Sequence, residues 1–170
     1  MWKDEDMEIN SRAIRRLRDH LLTDPHTPPS ESCAGAIQAE AAVIKRLEPF
    51  AETMYLVMMA DGEPATSERQ ALNAALAVLS DGQISQAAID TMLKGFQERA
   101  SNEGTEARLW QLGAHLSADR DDRETAFSLG AVMALADDRI DIRENQALRW
   151  VQEYFGLSDR RVSEILQSVD

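Results

Sequence analysis

The 170-residue sequence predicts an all-α fold, and three observations carry that prediction. Proline is absent from residue 65 to the end, leaving long stretches with no backbone breaker. Apolar residues recur there at the i, i+3, i+4, i+7 spacing of a helix face, and no period-2 strand pattern appears. One acidic turn is also written twice: MADGEPATSERQAL at 59–72 and LADDRIDIRENQAL at 135–148 share six of fourteen positions, each pair 76 residues apart. Repetition at a fixed period marks a repeated supersecondary unit.

The first element spans residues 9–22. Ile9, Ala13, Ile14, Leu17, Leu21 and Leu22 form an apolar stripe, and Arg12, Arg15, Arg16 and Arg18 surround it. A membrane surface or an acidic partner is one use for such a helix. Asp4, Glu5, Asp6, Glu8, Asp19 and Asp24 balance the arginines, which favours packing on its own domain. Residues 23–35, with three prolines among Ser and Thr, read as a linker. Residues 1–35 are thus an N-terminal amphipathic helix and linker, and 36–170 the domain proper.

Residues 36–60 are helical sequence, with a break or restart expected at Pro49, because proline suits a first helical turn better than an interior. Phe50, Met54, Val57 and Met58 mark a buried stripe. After the Asp61-Gly62 turn, Leu72, Ala75, Leu76 and Leu79 outline the next helix. Ser80-Asp81-Gly82 ends it, and Ile84, Ala88 and Phe96 belong to the one that follows. A turn at Asn102–Thr105 leads to a helix bearing Leu109, Leu112 and Leu116. SADRDD at 117–122 separates that helix from one ending near Ala136. Beyond the second acidic turn come a helix with Leu148, Val151 and Phe155 and a last one from about Ser158. LSDGQIS at 79–85 also matches LSDRRVS at 157–163, now 78 apart. The expected architecture is a compact bundle of two related three-helix halves, about 36–103 and 104–170, with the N-terminal helix as an arm.

Composition bounds the function. A net charge of −12 repels phosphate backbones and argues against nucleic acid as a direct partner. It favours cations and basic protein surfaces. The single Cys33 has no partner for an internal disulfide, in keeping with a reducing compartment. The start of the sequence lacks the pattern of a signal peptide, and no apolar run approaches the roughly 20 residues that span a bilayer. A cytoplasmic protein is expected. His20, His26 and His115 are scattered, and no HExxH, Walker loop, CxxC or nucleophile elbow occurs, so no enzyme is expected.

The repeated ADG-type turn followed by a Glu-bearing helix resembles the TerB-like proteins of the tellurite-resistance group, over roughly residues 36–170. The resemblance implies an all-helical fold of two related halves in a bacterial, mostly cytoplasmic stress-response protein, with acidic turns proposed to bind metal. It also implies protein partners that are membrane-associated, because related domains occur in membrane-anchored J-domain co-chaperones. The second turn differs in carrying Asp138 where glycine is expected.

Asp61 and Glu68 of the first turn and Asp137, Asp141 and Glu144 of the second are the candidate metal ligands. Carboxylate oxygens suit a hard cation such as Ca²⁺ or Mg²⁺. An EF-hand is excluded by counting, since its twelfth position falls on Leu72 or Leu148. Neither turn supplies enough oxygens alone, so a tight site needs both turns close together or added waters. Helix capping explains the same residues without a ligand: Asp141 with Glu144 forms a capping-box pattern, and acidic side chains favour a first helical turn.

Overall fold

The computed structural model describes residues 9–22, 33–61, 66–136 and 145–169. Among them run α1 (Ser11–Leu22), α2 (Cys33–Met58), a 3₁₀ turn (Met59–Asp61), α3 (Thr66–Leu79), α4 (Gln86–Glu103), α5 (Thr105–His115), α6 (Arg120–Leu135), α7 (Gln146–Tyr154) and α8 (Asp159–Val169). No strand occurs among the described residues, and the all-α expectation holds.

At the centre α2 lies against α6, and almost every side chain of α6 from Glu124 to Ala134 is buried. Two contacts fix how these helices run. Arg46 pairs with Asp122 through two 2.8 Å hydrogen bonds, and eight residues further along α6 a Cβ built on Gly130 would lie 3.1 Å from Val57 and 3.8 Å from Thr53. Both contacts step forward together, so α2 and α6 are parallel. Partners differ in number by about the 76 residues of the repeat, which places the helices in register.

The outer helices complete the core. α1 packs on α3 and α6, and α5 packs on α7 and α2. Likewise α4 lies on α2, and α8 lies on α6. The N-terminal helix is therefore no loose arm, because Ile14 is wholly buried in the same core as Phe50, Phe96 and Phe127. Asn10 anchors its start. The Asn10 side chain accepts from Ala13 N–H at 3.1 Å, capping α1, and donates to the carbonyl of Val169 at 3.1 Å.

The expected break at Pro49 does not occur, and α2 continues through it. Proline inside a helix removes one hydrogen bond and costs about 3 kcal/mol. Leu47, Phe50, Ala51, Met54 and Leu56 are all essentially inaccessible, and burying a large apolar side chain contributes roughly 1.5–3 kcal/mol each. Several such residues outweigh one proline. The linker is also shorter than expected at its end, because α2 already begins at Cys33.

The two LSD segments are not equivalent in space. Leu79 is the last residue of α3, and Asp81 and Gly82 follow with φ of 53° and 70°, closing that helix. In the second segment Ser158 accepts from Arg161 N–H at 3.3 Å, and Asp159 opens α8. One segment ends a helix and the other starts one. The counterpart of Ser158 is Ser85, which caps α4 by accepting from Ala88 N–H at 3.3 Å.

Candidate functional site

Both acidic turns leave the same end of the α2–α6 pair. α2 passes into the 3₁₀ turn that ends at Asp61, and α6 ends at Leu135 with Ala136 N–H still bonded to Val132. Parallel helices in register bring these exits side by side, and packed helix axes lie about 8–10 Å apart. Glu68 stands half-buried in the first turn of α3, where a carboxylate faces the positive end of the helix dipole. The Asp61 side chain and all of Asp137, Asp141 and Glu144 lie outside the described residues. Among the described residues no group of three His, Cys, Asp or Glu side chains converges as a metal site.

The cap of α7 is Asn145, while the Asp141–Glu144 capping pattern lies outside the described residues. Asn145 is buried, and its Oδ1 accepts from Leu148 N–H at 3.0 Å. The α7 that it opens is short and turns its Ala147, Leu148 and Val151 inward.

Two buried carboxylates brace the helices below the turns, and the sequence reading identified neither. Glu52 of α2 is 2% exposed. Its Oε1 accepts from Arg108 Nε at 2.9 Å and Arg99 Nε at 3.3 Å, and its Oε2 from Arg99 and Arg108 Nη2 at 3.0 and 3.1 Å. The bond from Glu52 raises the pKa of Arg108. At Arg99 burial opposes the charge, but the bonds to Glu52 and Glu48 outweigh it, and its pKa is also raised. Glu124 of α6 accepts from Arg161 Nη2 at 2.7 Å and Arg120 Nε at 2.8 Å. The Arg161 bond, reinforced by Arg120 against the cost of burial, holds the Glu124 carboxyl below its usual range. Every oxygen of these two carboxylates is engaged, so they tie α2 to α4 and α5, and α6 to α8. A signal was present in the sequence: Glu52 interrupts the apolar stretch from Phe50 to Met59, and a charge there needs a partner.

A shallow groove of about 420 Å³ runs between α2 and the α5–α6 junction, with Pro49 and Leu116 as its floor and Lys45 and His115 on its rim. The Arg46–Asp122 pair crosses it, and Arg46 also stacks 5.2 Å from the Phe50 ring centroid. Trp110, on the outer face of α5, is 60% exposed. Phe155 packs inward as expected, and Tyr154 donates its hydroxyl to Glu106. No helix among the described residues is long and apolar enough to cross a membrane.

The family model described as "Tellurite resistance protein TerB" matches residues 48–167, from the second half of α2 to near the end of α8. No curated protein and no solved structure matches the chain.

Proposed function

The chain belongs to the TerB family, and on that premise we propose that it is a non-enzymatic binding module that responds to a divalent cation, Ca²⁺ or Mg²⁺, held between its two acidic turns. What supports this reading is the parallel, in-register pairing of α2 and α6, which directs both acidic segments to one end of the bundle. On this reading the carboxylates of the two turns repel one another, and a cation offsets that repulsion while drawing the turns together. Asp61, Glu68, Asp137, Asp141 and Glu144 are the proposed ligands. A change in the separation of the turns passes into α3 and α7, and so to a protein partner in a cytoplasmic stress response.

Calorimetric titration of the demetallated full chain with Ca²⁺, Mg²⁺, Mn²⁺ and Zn²⁺ tests the proposal. Saturable uptake of one cation, abolished in Asp61→Asn and Asp137→Asn while the helical signal stays intact, is the expected outcome. Absence of uptake for all four ions overturns it.

A second reading, a metal-free interaction module with membrane-associated or chaperone partners, draws support from Trp110. A tryptophan so exposed on a rigid helix is a common anchor of protein interfaces. Under this reading the turns take up no cation, and Trp110→Ala abolishes partner capture.

A further inference from the structure

We infer that the outer face of α1 is a docking surface for an acidic helix of a partner protein. This goes beyond the cation reading and does not depend on it. Arg12, Arg15 and Arg16 are exposed along one side of α1, and none makes a hydrogen bond or ion pair with a described residue. Most arginines of the bundle differ in this respect: Arg18, Arg46, Arg99, Arg108, Arg120, Arg160 and Arg161 all hold carboxylates. In a chain of net charge −12, three cations clustered on one turn with no described partner stand out from their surroundings.

The cluster is preformed. Ile14 and Leu21 bury the opposite face of α1, Asn10 ties its start to Val169, and Arg18 pins its end to Asp81 at 2.8 Å. Arg18 also holds Asp19, the one carboxylate within α1, through bonds of 3.0 and 2.8 Å. One arginine secures the helix while three are left presented.

Charge and spacing select the occupant. Arg12 has both Arg15 and Arg16 one helical turn away, roughly 5–6 Å between Cβ atoms, while Arg15 and Arg16 stand side by side, so the three guanidinium groups form a triangle on a single turn. Glutamates or aspartates at the same spacing on a second helix meet them one for one, with bidentate geometry available to each. A bilayer fits less well. This face carries no apolar residue to insert, and three arginines give only a weak attraction to an anionic surface, set against the net negative charge. A second copy of this chain fits less well too, because no described helix presents three exposed carboxylates at that spacing. On α4, Lys94 stands between Asp90 and Glu98.

The test uses the full chain, which keeps the acidic residues 4–8 as competitors. The probe is a fluorescent Ala/Gln-based helical peptide with glutamates at i, i+3, i+4 and i+7, followed by anisotropy at low and at physiological salt. Arg12→Gln/Arg15→Gln/Arg16→Gln is expected to weaken binding roughly tenfold, since exposed ion pairs contribute about 0.2–1 kcal/mol each. Arg69→Gln/Lys94→Gln/Arg149→Gln removes the same charge from exposed positions elsewhere and is expected to leave most of the binding intact. Equal loss in both triple variants overturns the proposal, because net charge alone then governs binding. So does an affinity for phosphatidylglycerol vesicles that exceeds the peptide's and disappears in the α1 triple. Circular dichroism checks that both variants remain folded.

Discussion

α1 and α5 hold corresponding places in the bundle and show solvent opposite characters. Each packs on the helix that follows an acidic turn and on the central pair, α1 chiefly on α6 and α5 on α2. Their inward residues match at a constant offset of 95: Ile14 with Leu109, Leu17 with Leu112, Leu21 with Leu116. At the same offset their outward residues are Arg12 against Ala107, Arg15 against Trp110, and Arg16 against Gln111. Packing fixes the inner stripe, because neighbours on every side constrain volume. The outer stripe is free to change, so one position presents cations and the other an aromatic anchor. Two copies of one scaffold role thus present two different surface chemistries.

The most forceful way to break this comparison is to cut the matched core residues. Ile14→Ala and Leu109→Ala are each expected to cost about 3 kcal/mol in urea unfolding, within the usual range for a deep truncation. A cost under about 1 kcal/mol for Ile14→Ala alone shows α1 to be an appendage.

The next test separates the ways the two helices are held. Gly113 lets α5 approach α7 so closely that an added Cβ would meet the Tyr154 carbonyl oxygen at 2.5 Å. Gly113→Ala is therefore expected to cost about 1–3 kcal/mol, because the obstacle is backbone and one of the helices must move. α1 has an arginine, Arg18, at the matching position, so the same close fit is not required there.

High pH sharpens the contrast further. The hydrogen bond to Glu106, aided by desolvation, raises the Tyr154 phenol to about 12. A pKa raised above its ordinary value means the stabilising bond is complete below pH 10 and is lost as pH rises through about 12. Ring NMR signals of Tyr154 should titrate near that upper value and fall back toward 10 in Glu106→Gln. The smallest effect belongs to the pin of α1: Arg18→Ala removes an exposed pair with Asp81 and is expected to leave the urea midpoint almost unchanged.

Much of the fold was legible because helical periodicity survives in single sequences. The stripe from Ile9 to Leu22 and the run Leu72, Ala75, Leu76, Leu79 each became the buried face of a helix. Pro49 misled because its local penalty is visible in sequence, whereas the burial of Phe50 and Met54 that overrides it is not. The LSD match misled in another way: the same three letters suit a helix end when glycine follows and a helix start when arginines follow. The α1–α5 correspondence was hidden because it keeps only apolar spacing, at an offset unlike the 76 of the turns.

The acidic segments were legible in the sequence, and the packing of α2 on α6 adds that the helices leading into them end side by side. The bracing glutamates escaped because Arg99 and Arg108 lie far from Glu52 in sequence. Asn145 escaped because the capping argument rested on the Asp141–Glu144 pattern alone.

The parallel central pair also constrains how the chain is made. Its two helices are nearly eighty residues apart in sequence, and closing so long a loop carries an entropic cost before any contact repays it. A nascent chain that has emerged only as far as His115 carries the Phe50–Val57 stripe without its principal cover. Until α6 follows, that stripe lacks this cover and is open to misassembly.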